Sequence, residues 1–576
     1  MSAPPAFVMY AGALLLQLLP RRWRSAAAVV VPVVTLVYLW LLAEGSTLSF
    51  ETLGNEFEPL AVDSLSRVFG AIFAIAAAAG GLYAWHIDDT GQQVAALVYG
   101  GSAIGIAFSG DLFSLLIFTE IMAVFSTYLI WARRTEGTRR AGTRYLLVHL
   151  TGGSFLMAGM LMYVGETGSL AVTALDTSSA GAWVMLIGVA VNAAIPPLHA
   201  WLPDAYPKAT VTGAVFLSAF TTKSSVYVLL RMFVGWDVLI YAGVVMALYG
   251  VVYAVLANDI REILGYHIIS QVGYMVAGAG IGTELAVNGA TAHAFSHILY
   301  KGLLFMGAGA VLHTTGRSAL TELGGFYGRQ RAVFWLYMIG AFSISGFPLF
   351  NGFISKSMVI EAAGEAHHET VMLLLLLASI GTFLHTGLKL PYWTWFGDDR
   401  GIRPRPTPRN MYAGMGVVAA LCVLFGVAPG LLYRYLPFPV DYHPYNGAHL
   451  VETIQLGALT FVAFWILRAK LAGESKLALD TDWFYRRPAH AARRLAAAGA
   501  AGFATLERWS DGAASGAARL LRNPAPGLQR FLGSAGPERP GVAYDADDAR
   551  PPLAVALVFV LAGVVLIGVI GIIAVL

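Results

Sequence analysis

The sequence has one cysteine, Cys422, in 576 residues, and only 12% of its residues are charged. A lone cysteine permits no disulfide within the chain and no cysteine-ligated zinc or iron–sulfur cluster. There is no glycine-rich nucleotide fingerprint either. No cofactor is therefore expected, and no redox chemistry within this chain. The net charge of +3 is too small to point to nucleic acid. No Lys or Arg precedes the first apolar stretch and it has no small-residue cleavage site, so a retained helix is expected there and not a signal peptide.

What fills the chain instead is apolar: 57% of residues are hydrophobic and the mean hydropathy is +0.66, the composition of a polytopic membrane protein. Apolar runs of about 18 to 25 residues, long enough to cross a hydrocarbon core about 30 Å thick, begin near residues 6, 26, 62, 92, 111, 144, 181, 208, 236, 260, 286, 332, 369, 410, 449 and 552. The expected fold class is an all-α polytopic membrane protein of about 16 transmembrane helices.

Basic residues gather in alternate loops, "RRWR" at 21–24, "ARRTEGTRRAGTR" at 132–144, "RSALTELGGFYGRQR" at 317–331 and "DDRGIRPRPTPR" at 398–409, while "EGSTLSFETLGNEFE" at 44–58, "GETG" at 165–168 and "EAAGEAHHE" at 361–369 are acidic. The positive-inside rule places the basic loops in the cytoplasm and both termini outside. Residues 471–551, rich in Ala and Arg, suit an amphipathic helix on the cytoplasmic surface with breaks at "NPAPG" (523–527) and "GPERPG" (536–541), or a disordered basic connector.

Ionisable residues inside apolar runs cost roughly 2.5 to 3.5 kcal/mol each on insertion scales and need a reason. Glu120, Lys223, His293, His297, Lys301, Lys356, His385 and Lys389 all lie in such runs. His293, His297 and Lys301 recur every fourth residue, which stacks three proton-binding groups on one helical face, the arrangement a proton relay needs. A helix-to-helix salt bridge or a snorkelling side chain is the plainer explanation for each isolated residue, above all for Lys356 and Lys389.

Prolines interrupt two runs, Pro196 and Pro197 in the seventh and Pro348 in the twelfth. Broken helices at matching places in two halves point to a transporter built from inverted repeats. This divides the chain into N-terminal transmembrane helices (1–90), a first five-helix repeat (91–232), a second (233–395), further transmembrane helices (396–470), the surface segment (471–551) and a C-terminal transmembrane helix (552–576). Glu120 and Lys223 of the first repeat are expected to pair, since a nearby opposite charge keeps both ionised.

At these residues the sequence resembles the antiporter-like, proton-conducting membrane subunits of Mrp-type multisubunit sodium/proton antiporters, respiratory complex I and membrane-bound hydrogenases. The resemblance covers roughly residues 60–400 and rests on "PPLHAWLPDAYPKA", "TTKSSVYVLLR", "ANDIREILGYHIISQVGYM", "HAFSHILYKGLLF" and "GFPLFNGFISKS". It implies a proton path through Glu120, Lys223, His293, His297, Lys301 and Lys356, with Asn192, His199, His385 and Lys389 as further candidates, and work within a multisubunit complex of a bacterial or archaeal plasma membrane. "WLPDAYPKA" with "YHIISQVGYMVAG" looks most like the D-type component of Mrp antiporters, whereas the 471–551 segment and last run look like the lateral helix of the largest antiporter-like component of complex I. Asn192 stands where many members carry a lysine, and an amide cannot carry a proton charge at neutral pH. The sequence marks no sodium site beyond Asp111, a weak candidate beside the fifth run.

Three readings follow: a subunit exchanging protons for sodium, potassium or lithium; a proton-pumping subunit of a redox complex such as complex I or a hydrogenase; and a membrane partner in an inorganic-carbon uptake complex.

Overall fold

The computed structural model describes residues 3–52, 54–474, 479–486 and 488–522. The expected final transmembrane helix and the expected breaks at 523–527 and 536–541 lie outside them.

The apolar runs fold as helices: α1 (Pro5–Leu18), α2 (Arg21–Leu41), α3 (Ser64–Tyr83), α4 (Thr90–Phe108), α5 (Leu112–Trp131), α6 (Glu136–Thr167) and α7 (Ala180–Ala193). After the short α8 (Trp201–Ala205), the eighth run forms two helices, α9 (Gly213–Ala219) and α10 (Thr221–Met232). Then come α11 (Asp237–Leu256), α12 (Ile260–Ile281), α13 (Glu284–Thr315), α14 (Arg331–Ser345), α15 (Asn351–Glu365) and α16 (Glu369–Thr382). The backbone after α16 continues in π-helical turns over Phe383–Lys389. The first compact unit, Met1–Asp482, ends after α17 (Arg409–Val427), α18 (Gly430–Tyr433) and α19 (Gly447–Leu467), with α20 (Asp482–Arg486) at its boundary. Ten spans among the described residues are long and apolar enough to cross a membrane, with α9 and α10 together (Gly213–Met232) as one and α16 with the turns after it (Glu369–Phe396) as another, and α1, α7 and α14 are shorter apolar helices.

The acidic loop after α2 adds an antiparallel hairpin, β1 (Thr47–Thr52) and β2 (Asn55–Ala61), with Phe50 stacked on Phe57 at 5.7 Å between ring centroids. In the second unit, α21 (Pro488–Arg522) is a single helix of 35 residues with Leu495, Phe503, Leu506 and Trp509 exposed. Those four positions fall on one face at 3.6 residues per turn.

Two stretches of the first unit repeat one another. The helices α6 and α13 are both 32 residues long and begin 148 positions apart, at Glu136 and Glu284. Asp111 caps α5 by accepting the Ser114 N–H at 2.7 Å, and Asp259 caps α12 by accepting the Arg261 N–H at 2.7 Å. Each cap residue also bridges to the segment after the long helix, Asp111 to Ala171 and Asp259 to Ala319, again 148 positions apart. Both long helices end on a left-handed glycine, Gly168 (φ 71°) and Gly316 (φ 73°), a conformation that disfavours any Cβ.

The interrupted runs break where proline denies the helix a donor. Helix α7 stops before the left-handed Ala194 (φ 59°), with Pro196 and Pro197 in the turn beyond; α14 stops before the left-handed Gly346 (φ 74°), with Pro348 beyond. A further break without proline falls at Phe220, between α9 and α10. The membrane span of α13 is wholly buried, and this helix packs against α9, α12, α14, α15 and α17.

Candidate functional site

A helix terminus leaves carbonyls without intrahelical donors and carries partial negative charge, so it is a natural partner for a cation. Three buried lysines sit at such ends. Lys223 donates from Nζ to Ser218 O in the last turn of α9 (2.7 Å) and to Thr222 Oγ1 (3.0 Å). Lys356 donates to Ile344 O in the last turn of α14 (2.6 Å) and to Ser379 Oγ (3.3 Å), while its ammonium lies 5.4 Å from the Tyr274 ring centroid. Lys389 donates to Val255 O in the last turn of α11 (2.6 Å). Their exposures, 0%, 3% and 1%, rule out snorkelling.

Glu120 and Lys223 do not form the expected pair. The Lys223 amine turns toward the Phe220 break, where Ser218 O and Thr222 Oγ1 engage it. Glu120 is only half-buried on the α6 side of α5, where any Cβ on Gly153 would collide with its Oε1. The packing of α5 on α6 through that glycine is what holds the carboxylate away from α10.

Asn192 shares a short hydrogen bond with His149, 2.6 Å from Oδ1 to Nδ1. The His149 ring lies 4.2 Å from that of Tyr145, whose hydroxyl donates to Ser126 Oγ (3.0 Å) and lies 3.3 Å from Thr221 Oγ1. Thr221, two residues from Lys223, in turn meets the Tyr99 hydroxyl at 2.6 Å. A cavity of about 10 Å³ lined by Thr119, Asn192, Ser224 and Ser225 lies beside this chain of groups. Replacing Asn192 by Ala leaves a buried imidazole without its partner, which costs about 1 to 3 kcal/mol; a lower melting temperature of the purified complex is the expected result.

In the second half His293 lies at the centre. Its Nδ1 is 3.1 Å from Ser355 Oγ, adjacent in sequence to Lys356, and its Nε2 is 3.4 Å from the Tyr300 hydroxyl. That hydroxyl donates to Gln271 Oε1 (3.4 Å), and Gln271 Nε2 donates to Thr382 Oγ1 (3.3 Å) at the end of α16. The His267 and His385 rings are 5.4 Å apart. His297 is fully buried with its ring 5.2 Å from that of Tyr300, and neither its nitrogens nor Lys301 Nζ has a hydrogen-bond partner among the described residues. Thus His293 and His297 share the Tyr300 cluster, whereas Lys301, one turn on, hydrogen-bonds to none of it.

His199, also fully buried, has Nε2 3.1 Å from Asp480 Oδ1, and Asp480 accepts from the Tyr249 hydroxyl (2.6 Å) and the Tyr266 hydroxyl (2.7 Å). Burial pushes the Asp480 carboxyl up, but His199 and the two hydroxyls outweigh it and hold the group well below the usual carboxylate range. Thr481 donates to Pro197 O at 3.0 Å, so the segment leaving the membrane helices is tied to the α7 break.

Asp111 serves as an end cap: Oδ1 takes the Ser114 N–H (2.7 Å) and Oδ2 the Glu58 N–H (2.9 Å). Among the described residues no three His, Cys, Asp or Glu side chains converge to hold a metal ion. The residues that sequence reasoning passes over are Tyr99, Tyr145, His149, Thr221, His267, Gln271 and Tyr300. Of these His149 carries a usable signal, an imidazole in an apolar run 148 positions before His297.

A helical membrane protein with buried lysines set on the ends of broken helices, beside chains of imidazoles and hydroxyls, has the architecture of an antiporter-like membrane subunit. Residues 109–382 match the family described as NADH:quinone oxidoreductase/Mrp antiporter, TM, and the chain belongs to that family. It is 30% identical over 358 residues to an uncharacterized protein of Methanocaldococcus jannaschii, covering 58% of this chain and 74% of that one. It is 30% identical over 353 residues to the D component of the Na(+)/H(+) antiporter of Alkalihalophilus pseudofirmus, covering 58% of this chain and 71% of that one. Its fold matches a chain of the Mrp complex from Dietzia sp. DQ12-45-1b with a TM-score of 0.74 at 23% identity, over 94% of this chain and 64% of that chain.

Proposed function

We propose that this chain is the D-type proton-translocating component of a multisubunit sodium/proton antiporter in a prokaryotic plasma membrane, with two five-helix halves at 91–232 and 233–395. The observation that carries the reading is the pair of buried lysines, Lys223 and Lys356, each hydrogen-bonded to the terminal carbonyls of a broken helix and each beside a chain of imidazole and hydroxyl groups. Membrane proteins keep ionisable groups in such places for ion movement. The recurrence at 148 positions supports two related halves, and the likeness to a relative named as a Na(+)/H(+) antiporter component supports sodium as the exchanged ion. Protons move along Glu120, Lys223, His293, His297, Lys301 and Lys356, with Asn192 and His149 providing hydrogen bonds in the first half.

The test uses inside-out vesicles from cells lacking their own sodium/proton antiporters, carrying the chain with its operon partners. A pH-sensitive dye follows collapse of an imposed proton gradient when sodium, potassium or lithium is added. Sodium-dependent collapse in wild type, lost in Glu120→Ala and Lys223→Ala while the complex still assembles, is the expected outcome. An assembled wild-type complex that ignores all three cations would rule out the antiporter and favour a redox-driven pump or a partner role in carbon uptake.

A further inference from the structure

A cavity of about 60 Å³ lies between α14, α15, α16 and α19, room for several waters, since one needs roughly 10 to 15 Å³. Its polar lining runs from Lys356 and Ser379 at the α14 break to His449, Glu452, Thr453 and Thr460 of α19. Lys356 faces it with the 3% of its surface that is not covered, and an ammonium has three donors, of which Ile344 O and Ser379 Oγ take two. The positions 449, 452, 453 and 460 recur at helical spacing on one face of α19, whereas Leu459, Val462 and Ile466 are exposed. His449 is held in place: its ring stacks on Phe353 at 4.3 Å, and its Nδ1 lies 2.9 Å from Pro444 O. Because that carbonyl takes the Nδ1 proton, Nε2 is left to accept one. Glu452, one turn further along, is exposed. Both sit in the first two turns of α19 and share the cavity lining with Phe353, Ser357 and Ile360 of α15, the helix that leads to the acidic loop 361–369.

We propose that α19 forms the wall of an aqueous vestibule through which Lys356 exchanges protons with the acidic-loop side of the membrane, and that His449 and Glu452 are its proton-collecting groups. This rests on the proton-translocation reading above. In the release direction the Lys356 ammonium gives one proton to a vestibule water, leaving a neutral amine and a hydronium. The hydronium protonates the Glu452 carboxylate or His449 Nε2, which then loses that proton to bulk water. Uptake runs the same steps in reverse. An apolar wall at these positions would close this exit to the lysine, because a hydronium does not enter hydrocarbon.

Two arms test it on the complete complex in membranes. The only native cysteine, Cys422, is fully buried, so wild type gives an unlabelled background, and Thr453→Cys and Thr460→Cys introduce single reporters on the cavity wall. A membrane-impermeant cationic thiosulfonate, added from the acidic-loop side, should modify both at least about tenfold faster than it modifies Leu459→Cys, whose position is 67% exposed on the outer face of α19. If only a lipid-soluble maleimide reaches Thr453→Cys and Thr460→Cys, the groove holds an acyl chain and the proposal fails. In the second arm, His449→Gln with Glu452→Gln should slow sodium-dependent proton movement several-fold, with recovery on adding a high concentration of imidazole as a mobile proton carrier. An unchanged rate, or a slow rate that imidazole does not restore, overturns the collecting role. The labelling arm reads water and not transport, so failure of the antiporter reading and failure of the vestibule give different results.

Discussion

Substituting Lys356 by Ala is expected to reduce proton movement at least about a hundredfold, the scale on which removal of a positioned proton-transfer group acts, with the complex still assembled. The side chain joins two features of the second half. It ends α14 by donating to Ile344 O, and it is adjacent in sequence to Ser355, which meets His293. Loss of the amine therefore removes both a carrier and a cap. The two roles are separated by Lys356→Arg, whose guanidinium still donates to carbonyls but stays protonated at all accessible pH values. A fully assembled Arg variant with transport still lost identifies proton exchange as the function of Lys356; transport at the wild-type rate in either variant would exclude Lys356 from the path. The readout is the dye assay in vesicles, with co-purification of the partner subunits as the assembly control.

Arg261 carries the largest expected effect on stability. It is fully buried at the start of α12 and donates through Nη1 to Ala209 O (3.2 Å) and through Nη2 to Tyr206 O, Ala209 O and Thr210 O (3.1 Å each). These carbonyls belong to the irregular connection between α8 and α9, and irregular backbone survives inside a membrane protein only where donors are supplied. Arg261→Ala leaves three carbonyls without this donor in the interior, at about 1 to 3 kcal/mol for each one left unsatisfied. A marked fall in the melting temperature of the purified complex, or failure to accumulate in the membrane, is expected. Arg261→Lys should rescue only part of it, because a single ammonium cannot reproduce the planar fork. A melting temperature unchanged in Arg261→Ala would show that another donor satisfies the connection.

The helices are legible in the sequence because the bilayer imposes length and apolarity on each of them separately. The broken runs are legible where proline breaks them, at Pro196, Pro197 and Pro348. The break at Phe220 is not, because nothing local demands it: it accompanies the turning of the Lys223 amine onto Ser218 O. The site divides in the same way. His293 and His297 announce themselves by spacing on α13, but their partners Ser355, Tyr300 and Gln271 are ordinary polar residues that acquire meaning only when α12, α13 and α15 meet. Opposite charge in two apolar runs predicts a pair between Glu120 and Lys223, yet the pair does not form, because side-chain direction about a helix axis is set by neighbours such as Gly153.

The helix lengths of the first unit also carry a consequence for the lipid. At 1.5 Å per residue, the 20-residue helices α3, α5 and α11 are about 30 Å long, matched to an ordinary hydrocarbon core, while α6 and α13, at 32 residues, reach about 48 Å. A long helix accommodates a thick bilayer by standing upright and a thin one by leaning, but a matched one has no such latitude. The short helices therefore select the bilayer thickness, while tilt is set by how the helices pack on one another. Acyl-chain length is accordingly a variable to control when this chain is reconstituted, on the same footing as pH or sodium.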